Sequence, residues 1–276
     1  MTAAPRDAAE NVAAYDLATR DKIPVIHELM AAGEPGRALD VGSGTGYTTA
    51  RVFGDRVTVC VDVEAANLRY VRERARAHGA RPPLGVVAVA TALPFRAGAF
   101  RYALCSEVLE HLDDDAAAVA EIARVLAPGG RVVITVPYTG LGFTSFLEVL
   151  RVPTVHERPG PEHHVRPGYS EATMGALLRR HGLLVERWAW YLRVFTRLAA
   201  DGVSLAHLLY QRLVHGRAAW TWAEAAEVEG GRAFGLYRRA FPALRAWGRL
   251  DGLLRGRRGF GLVVAATRPA PETRST

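Results

Sequence analysis

A chain of 276 residues, 49% of them hydrophobic, is long enough to build a globular α/β domain with a real core and an elaboration upon it. The formal net charge of +7 would fit nucleic acid or an anionic membrane, but Lys22 is the only lysine and every other basic side chain is arginine. With alanine abundant as well, the balance reads as composition bias, and no nucleic-acid partner is expected.

Two cysteines, Cys60 in VTVCV and Cys105 in YALCS, sit in apolar runs with no C-x-x-C, which excludes a disulfide framework and a zinc signature. No metal is expected. MTAAPRDAAE lacks an apolar leader region, and no apolar run reaches the length of a membrane span, so the expected location is cytoplasmic.

In chain order, residues 7–32 read as a helix, with Val12, Tyr15, Leu17, Ile23, Ile26, Leu29 and Met30 near helical spacing and a kink or break at Pro24. Arg37 to Val41 is a first strand. Gly42, Gly44 and Gly46 then alternate through a tight turn into a helix at 46–53. Strand, glycine turn and helix bring backbone close to a nucleotide-like ligand, and a side chain at any of the three glycines would stand in the way. A dinucleotide fingerprint would put its third glycine at 47, where this chain has Tyr47. Val57 to Val61 is a second strand. It ends at Asp62, about 20 residues beyond Gly42, where a ribose-binding acid belongs in such units. The competing role for Asp62 is to cap the helix Glu64–His78, and Glu64 is the alternative ribose acid.

The string D-V-G-S-G-T-G resembles motif I of class I S-adenosylmethionine-dependent methyltransferases, and the landmarks beyond it keep the order of the ubiquinone/menaquinone-biosynthesis type. A third strand is read at Val86–Val89, followed by ALPF, which is similar to that family's L-P-F element. The resemblance implies an acid four residues before the leucine, to hold the adenine amino group; this chain has Val89 there. Adenine would then be read by backbone groups near Ala90 and Thr91. The usual F-D pair is Phe100-Arg101. Tyr102 to Cys105 is a fourth strand, and EVLEHL after it resembles the family's E-V-L-E-H. Ser106 and Glu107 stand at that strand's carboxyl end, where ligands of open parallel sheets bind. His111 is read as opening the next helix, with Asp113, Asp114 and Asp115 suiting its dipole. RVLAPGGRVVITVP resembles the family's fifth strand, with Arg131 to Val136 in it.

Pro137 to Tyr169 reads as a long irregular loop holding His156, Glu157, His163 and His164. Ser170 caps a helix to Arg180, and Leu183 to Trp190 is a sixth strand. The seventh strand, GFGLVVAATRP, starts only near Gly259, so residues 191–258 interrupt what the family builds as an antiparallel hairpin. On a helical wheel Tyr237, Ala240, Phe241, Leu244 and Trp247 share one side and Arg238, Arg245 and Arg249 another, with Pro242 interrupting. Such a helix covers a core, lines a greasy pocket or lies on a membrane surface.

The resemblance thus implies an α/β, Rossmann-like seven-stranded sheet with helices on both faces and a helical insertion before the last strand. The expected divisions are an N-terminal helical cap (1–36), a core (37–190), a substrate lid (191–258) and a last strand with its tail (259–276). The implied cofactor is S-adenosyl-L-methionine, held by Asp40, Gly42, Ser43, Gly44, Gly46, Asp62, Val63, Ala90, Thr91 and Ser106. Tyr15 is a further contact, unless it simply packs on the core. Glu107, His111, His163 and His164 are the candidate general bases. The expected acceptor is a small hydrophobic or amphipathic molecule methylated on O, N or C, with peripheral membrane contact through 191–258. The alternative is a protein of the same fold that binds the cofactor without methyl transfer, as a regulator, cyclase or decarboxylase. A nicotinamide-dependent oxidoreductase is disfavoured by the glycine spacing.

Overall fold

The computed structural model describes residues 16–30, 35–54, 56–77, 81–142, 145–150, 164–215, 232–254 and 258–270. Tyr15 and His163 lie outside them. The elements are α1 (Leu17–Met30), β1 (Ala38–Val41), α2 (Tyr47–Phe53), β2 (Thr58–Asp62), α3 (Ala65–Ala77), β3 (Leu84–Val87) and β4 (Phe100–Ser106). A 3-10 turn (Leu109–His111), α4 (Asp115–Val125), β5 (Leu126–Pro137), α5 (Phe146–Val149), α6 (Glu171–Arg180) and β6 (Leu184–Tyr191) follow. The chain closes with α7 (Val194–His215), α8 (Arg232–Gly248), a 3-10 turn (Arg249–Leu253) and β7 (Gly261–Thr267).

The seven strands form one sheet in the order β3-β2-β1-β4-β5-β7-β6. β1 and β2 are buried at every position, as apolar strands between parallel neighbours should be. The first five strands pair in parallel. Arg268, just past β7, exchanges backbone bonds with Gly129 and Gly130 near the start of β5, so β7 runs against β5. Phe260 donates to the Leu192 carbonyl, which closes the β6–β7 hairpin despite the long connection. The chain leaves β1 for β2 and β3, then returns to the other side of β1 as β4. That reversal opens a crevice at the carboxyl ends of β1 and β4.

Several local expectations shift. The third strand is Leu84–Val87, two residues early, because Gly85 packs under Leu68 of α3, where an added Cβ would lie 3.0 Å away. Val89 is therefore outside the sheet. His111 does not open a helix: it ends the 3-10 turn, and Asp114 caps α4 by accepting from Ala117 N–H. β5 already begins at Leu126, and its register with β4 shifts between Phe100 and Tyr102, passing over Gly129 and Gly130. The Ser170 cap is present as a reciprocal capping box with Thr173. Both prolines expected to interrupt helices lie inside continuous ones, Pro24 in α1 and Pro242 in α8. Each removes one backbone bond, and burial of Ile26 and Met30 in α1 and of Phe241 in α8 holds the flanking turns together.

The chain divides into two compact units. One holds the described residues within 23–140, 165–189 and 262–276; the other those within 1–22, 141–164 and 190–261. The second unit is thus more than the expected insertion, since it gathers the start of α1 and the segment after β5. Leu17, Ala199 and Phe241 form a small core with Tyr237 and Leu244 packed on it. Trp247 is half exposed and meets Phe195 edge-on at 5.3 Å, so only part of the predicted apolar stripe of α8 is covered.

Three carboxylates, two buried and one half-buried, tie this unit together. Asp251 accepts from Phe195 N–H, Thr196 N–H and the Thr196 hydroxyl, capping α7 from a distant segment. Asp201 accepts from Phe146 N–H and the Ser145 hydroxyl at the start of α5 and pairs with Arg197. Asp21 accepts from Leu192 N–H, where Leu192 holds a positive φ of 53°. Burial first, and Asp251 nearby, push the Asp21 carboxyl up, against the Leu192 bond and Arg193 and Arg245, which pull it down. A raised folded value favours the protonated acid, so its stabilisation is full at low pH and is lost as pH rises through that value. Asp21→Asn, which keeps an acceptor for Leu192, is therefore expected to unfold at a higher temperature than wild type at pH 7. The gap should close as the pH falls below the carboxylate range, as read by thermal melts across pH.

Candidate functional site

The crevice is floored by the turn after β1. Gly42, Gly44 and Gly46 all have positive φ, at 69°, 51° and 73°, a conformation that costs other residues about 1–2 kcal/mol. The N–H groups of Gly42 and Ser43 both donate to the Val61 carbonyl, at 2.8 and 3.0 Å, which hangs the turn on β2. A Cβ on Gly42 would lie 2.4 Å from Val108, and one on Gly46 2.8 Å from Val71. A Cβ on Gly44 would meet nothing within 4 Å. Of the three glycines, only Gly44 therefore faces open space. The other two are glycine because the protein's own valines fill the space.

Asp40 is buried beneath this turn and accepts from the Thr49 hydroxyl at 2.5 Å, which joins β1 to α2. Asp62, at the end of β2, caps the head of α3 and also braces the glycine turn. One oxygen accepts from Gly44 N–H at 2.8 Å; the other accepts from Glu64 N–H at 2.9 Å and Asn67 Nδ2 at 3.1 Å, at the head of α3. A carboxylate has about four lone-pair sites, so one acceptor position remains for a hydroxyl from outside. Val63 beside it is exposed. Across the crevice, β4 ends on Ser106, whose hydroxyl is 2.9 Å from that of Thr135 on β5. Thr135 donates to Glu107 at 2.6 Å, and Glu107 N–H donates to the Thr135 carbonyl. Glu107 has a φ of 55°, a strained state for a residue with a Cβ, held at a strand end beside the crevice. Glu107→Gly is expected to leave the melting temperature within a few degrees of wild type, because the strain released offsets the lost side-chain bond. The same variant is expected to lose turnover, so thermal melts and kinetics together check it.

Acid groups converge behind these strand ends. The Cys105 thiol is pushed up by burial, and then by Glu110, Asp40 and Glu107. Cys60 is pushed up by burial and Asp40. Both thiols stay protonated core residues.

His111 is half-buried in the 3-10 turn. That turn is strapped by the chain entering α6: Val165 N–H donates to the Glu110 carbonyl and Arg166 to the Leu109 carbonyl, while Tyr169 donates to Asp115 at 2.6 Å. His164 is half-buried and belongs to the other unit. Ala90 is buried and Thr91 half-buried just past β3. Thr135, Asn67 and Thr49 were missed by reading the sequence, and no motif spacing marks them.

Residues 39–134, from β1 into β5, match the methyltransferase domain family. The O-methyltransferase cnsE of Penicillium expansum is 37% identical over 102 residues, 35% of this chain and 36% of that protein. A ubiquinone biosynthesis O-methyltransferase of Xanthomonas axonopodis pv. citri is 29% identical over 154 residues, 54% of this chain and 63% of that protein. The chain therefore spans between about a third and two thirds of the length of these relatives. Among solved structures, geranyl diphosphate C-methyltransferase from Streptomyces coelicolor A3(2) superposes with a TM-score of 0.53 at 18% identity, covering 90% of this chain and 78% of that one. At that identity the likeness establishes the fold. The donor set fits S-adenosylmethionine: open space over Gly44 and a carboxylate with one acceptor to spare. Residues 39–134 thus match the methyltransferase domain family, and the chain shares the fold of that solved methyltransferase.

Proposed function

We propose that the chain is an S-adenosylmethionine-dependent methyltransferase acting on a small, hydrophobic or amphipathic acceptor. The observation that carries this reading is the family match over 39–134, which falls on the glycine turn, Asp62 and the β4 end together. The cofactor supplies an activated methyl group on a sulfonium sulfur. What falls to the protein is to bind, orient and exclude water. In this reading Gly44 and Asp62 hold the nucleoside, and Asp40 braces the turn through its bond from Thr49. Glu107 and His111 are the groups on this unit able to take a proton from a hydroxyl or acidic carbon acceptor.

The acceptor class rests on the second unit. Leu236, Trp247 and Leu253 are exposed beside Arg238, Arg245 and Arg249, a surface that suits an amphipathic acceptor and peripheral contact with a membrane. No described helix is long and apolar enough to cross one. The test is to incubate the purified chain with trideuteromethyl-labelled cofactor and panels of phenols, carboxylic acids, amines and prenylated acceptors. A 17 Da gain on an apolar acceptor, the mass of a trideuteromethyl group less the proton it replaces, is expected. Cofactor binding with no labelled product across all panels would sink the transferase reading.

A further inference from the structure

Val89 stands where the resemblance calls for an acid on the adenine side, and it lies outside β3 with half of its surface exposed. Recognition there passes to backbone around Ala90 and Thr91, and backbone can read a base only if it is held still. Residues 88–99 carry no strand and no helix. Their internal bonds are few: Ala92 N–H to the Val89 carbonyl and Phe95 N–H to the Leu93 carbonyl. The N–H groups of Ala90 and Thr91 make no hydrogen bond among the described residues.

What fixes this segment is an ion pair on α4. Glu121 and Arg124 lie one turn apart and bond to each other twice, at 2.6 and 2.8 Å. Together they present an acceptor and two donors to the passing chain, as a neighbouring strand would. Leu93 N–H donates to Glu121 Oε2 at 2.7 Å; Arg124 donates to the Leu93 carbonyl at 2.9 Å and to the Phe95 carbonyl at 2.6 Å. The Leu93 side chain is buried, and Phe95 meets Phe100 edge-on at 5.0 Å, so the clamp holds a segment already seated on the core. The helix is itself fixed at both ends. Asp114 caps its start, and Arg268 donates to the carbonyls of Ala123, Arg124 and Leu126 at its finish.

We infer that Glu121 and Arg124 are positioning residues for adenine recognition, acting through the backbone of Leu93 and Phe95 to hold Ala90 and Thr91 in register with the base. This rests on the cofactor reading above. Adenine offers an acceptor at N1 and a donor at N6, and hypoxanthine reverses both, so a rigid backbone N–H and carbonyl tell the two bases apart while a loose one adapts to either.

The test is calorimetric titration of the full chain with S-adenosylhomocysteine and with S-inosylhomocysteine. Wild type is expected to prefer the adenine compound by about tenfold or more. Glu121→Leu and Arg124→Met are each expected to weaken adenine-compound binding by about tenfold and to bring the preference near unity. Arg124→Lys, which keeps one donor for a carbonyl, is expected to fall between and guards against a variant that does not fold. Variants that remain folded and keep the wild-type preference would overturn the clamp alone. A wild-type chain that binds neither compound would overturn the cofactor reading and the clamp with it. A folding defect without a change in preference would assign the pair a purely structural role.

Discussion

Gly42→Ala and Gly44→Ala are expected to fail in opposite ways. Both force alanine into a left-handed conformation, at about 1–2 kcal/mol each. Gly42→Ala also drives a methyl group to 2.4 Å from Val108, and overpacking of that kind costs about 1–3 kcal/mol more. A chain of this size loses about 2–4 °C of melting temperature per kcal/mol, so Gly42→Ala should melt about 5 °C or more below wild type. Val108→Ala in the same chain should recover part of the loss by clearing the space. Gly44→Ala should melt only about 2–8 °C below wild type, the cost of the left-handed conformation alone, because its methyl group enters open space. Its cofactor affinity should fall by about a hundredfold, because that space is where the nucleoside must come. Thermal melts and calorimetry on the two variants separate the cases. Wild-type affinity in Gly44→Ala would mean that the ligand does not use this space.

Asp62 carries the second large effect. Three donors converge on it, from Gly44, Glu64 and Asn67. Asp62→Ala leaves all three without their acceptor, a loss of about 1–3 kcal/mol for each group that water cannot reach, and it frees the glycine turn from the head of α3. Both stability and cofactor affinity should drop, the latter by about a hundredfold or more. The affinity loss alone would not distinguish a ribose contact from a collapsed turn. Asn67→Ala makes that distinction, since it removes one internal donor and leaves the carboxylate in place. If the carboxylate meets ribose, Asn67→Ala should bind cofactor at least as tightly as wild type, with an acceptor released. A loss in Asn67→Ala equal to that in Asp62→Ala would make Asp62 a bracing residue only.

Much of this site was legible before the fold because its parts lie close in sequence. The glycine turn, the acid at the end of β2 and the cap at Ser170 are set by local backbone geometry, and the residue types needed for that geometry are few. The spacing from Gly42 to Asp62 is simply one strand-helix-strand unit, so counting residues located it. The same logic misled at Pro24 and Pro242. A proline is a local signal against helix, but its loss of one backbone bond is outweighed when the turns on either side bury Ile26, Met30 or Phe241.

What the chain determined by itself is the order of elements and the chemistry of the turn: periodicity, glycine and a correctly spaced acid are properties of neighbours along the backbone. What only the tertiary structure decided is which buried polar group answers which. Thr135 joins Ser106 and Glu107 from 29 and 28 residues away, and Asp21 reaches Leu192 across 171. A carboxylate taken out of water must find donors, but the sequence does not say whose, because that depends on which strands and helices become neighbours. The same holds for the three glycines, which look alike in the string. Val108 and Val71 close the space over Gly42 and Gly46, and only packing leaves Gly44 open to a ligand.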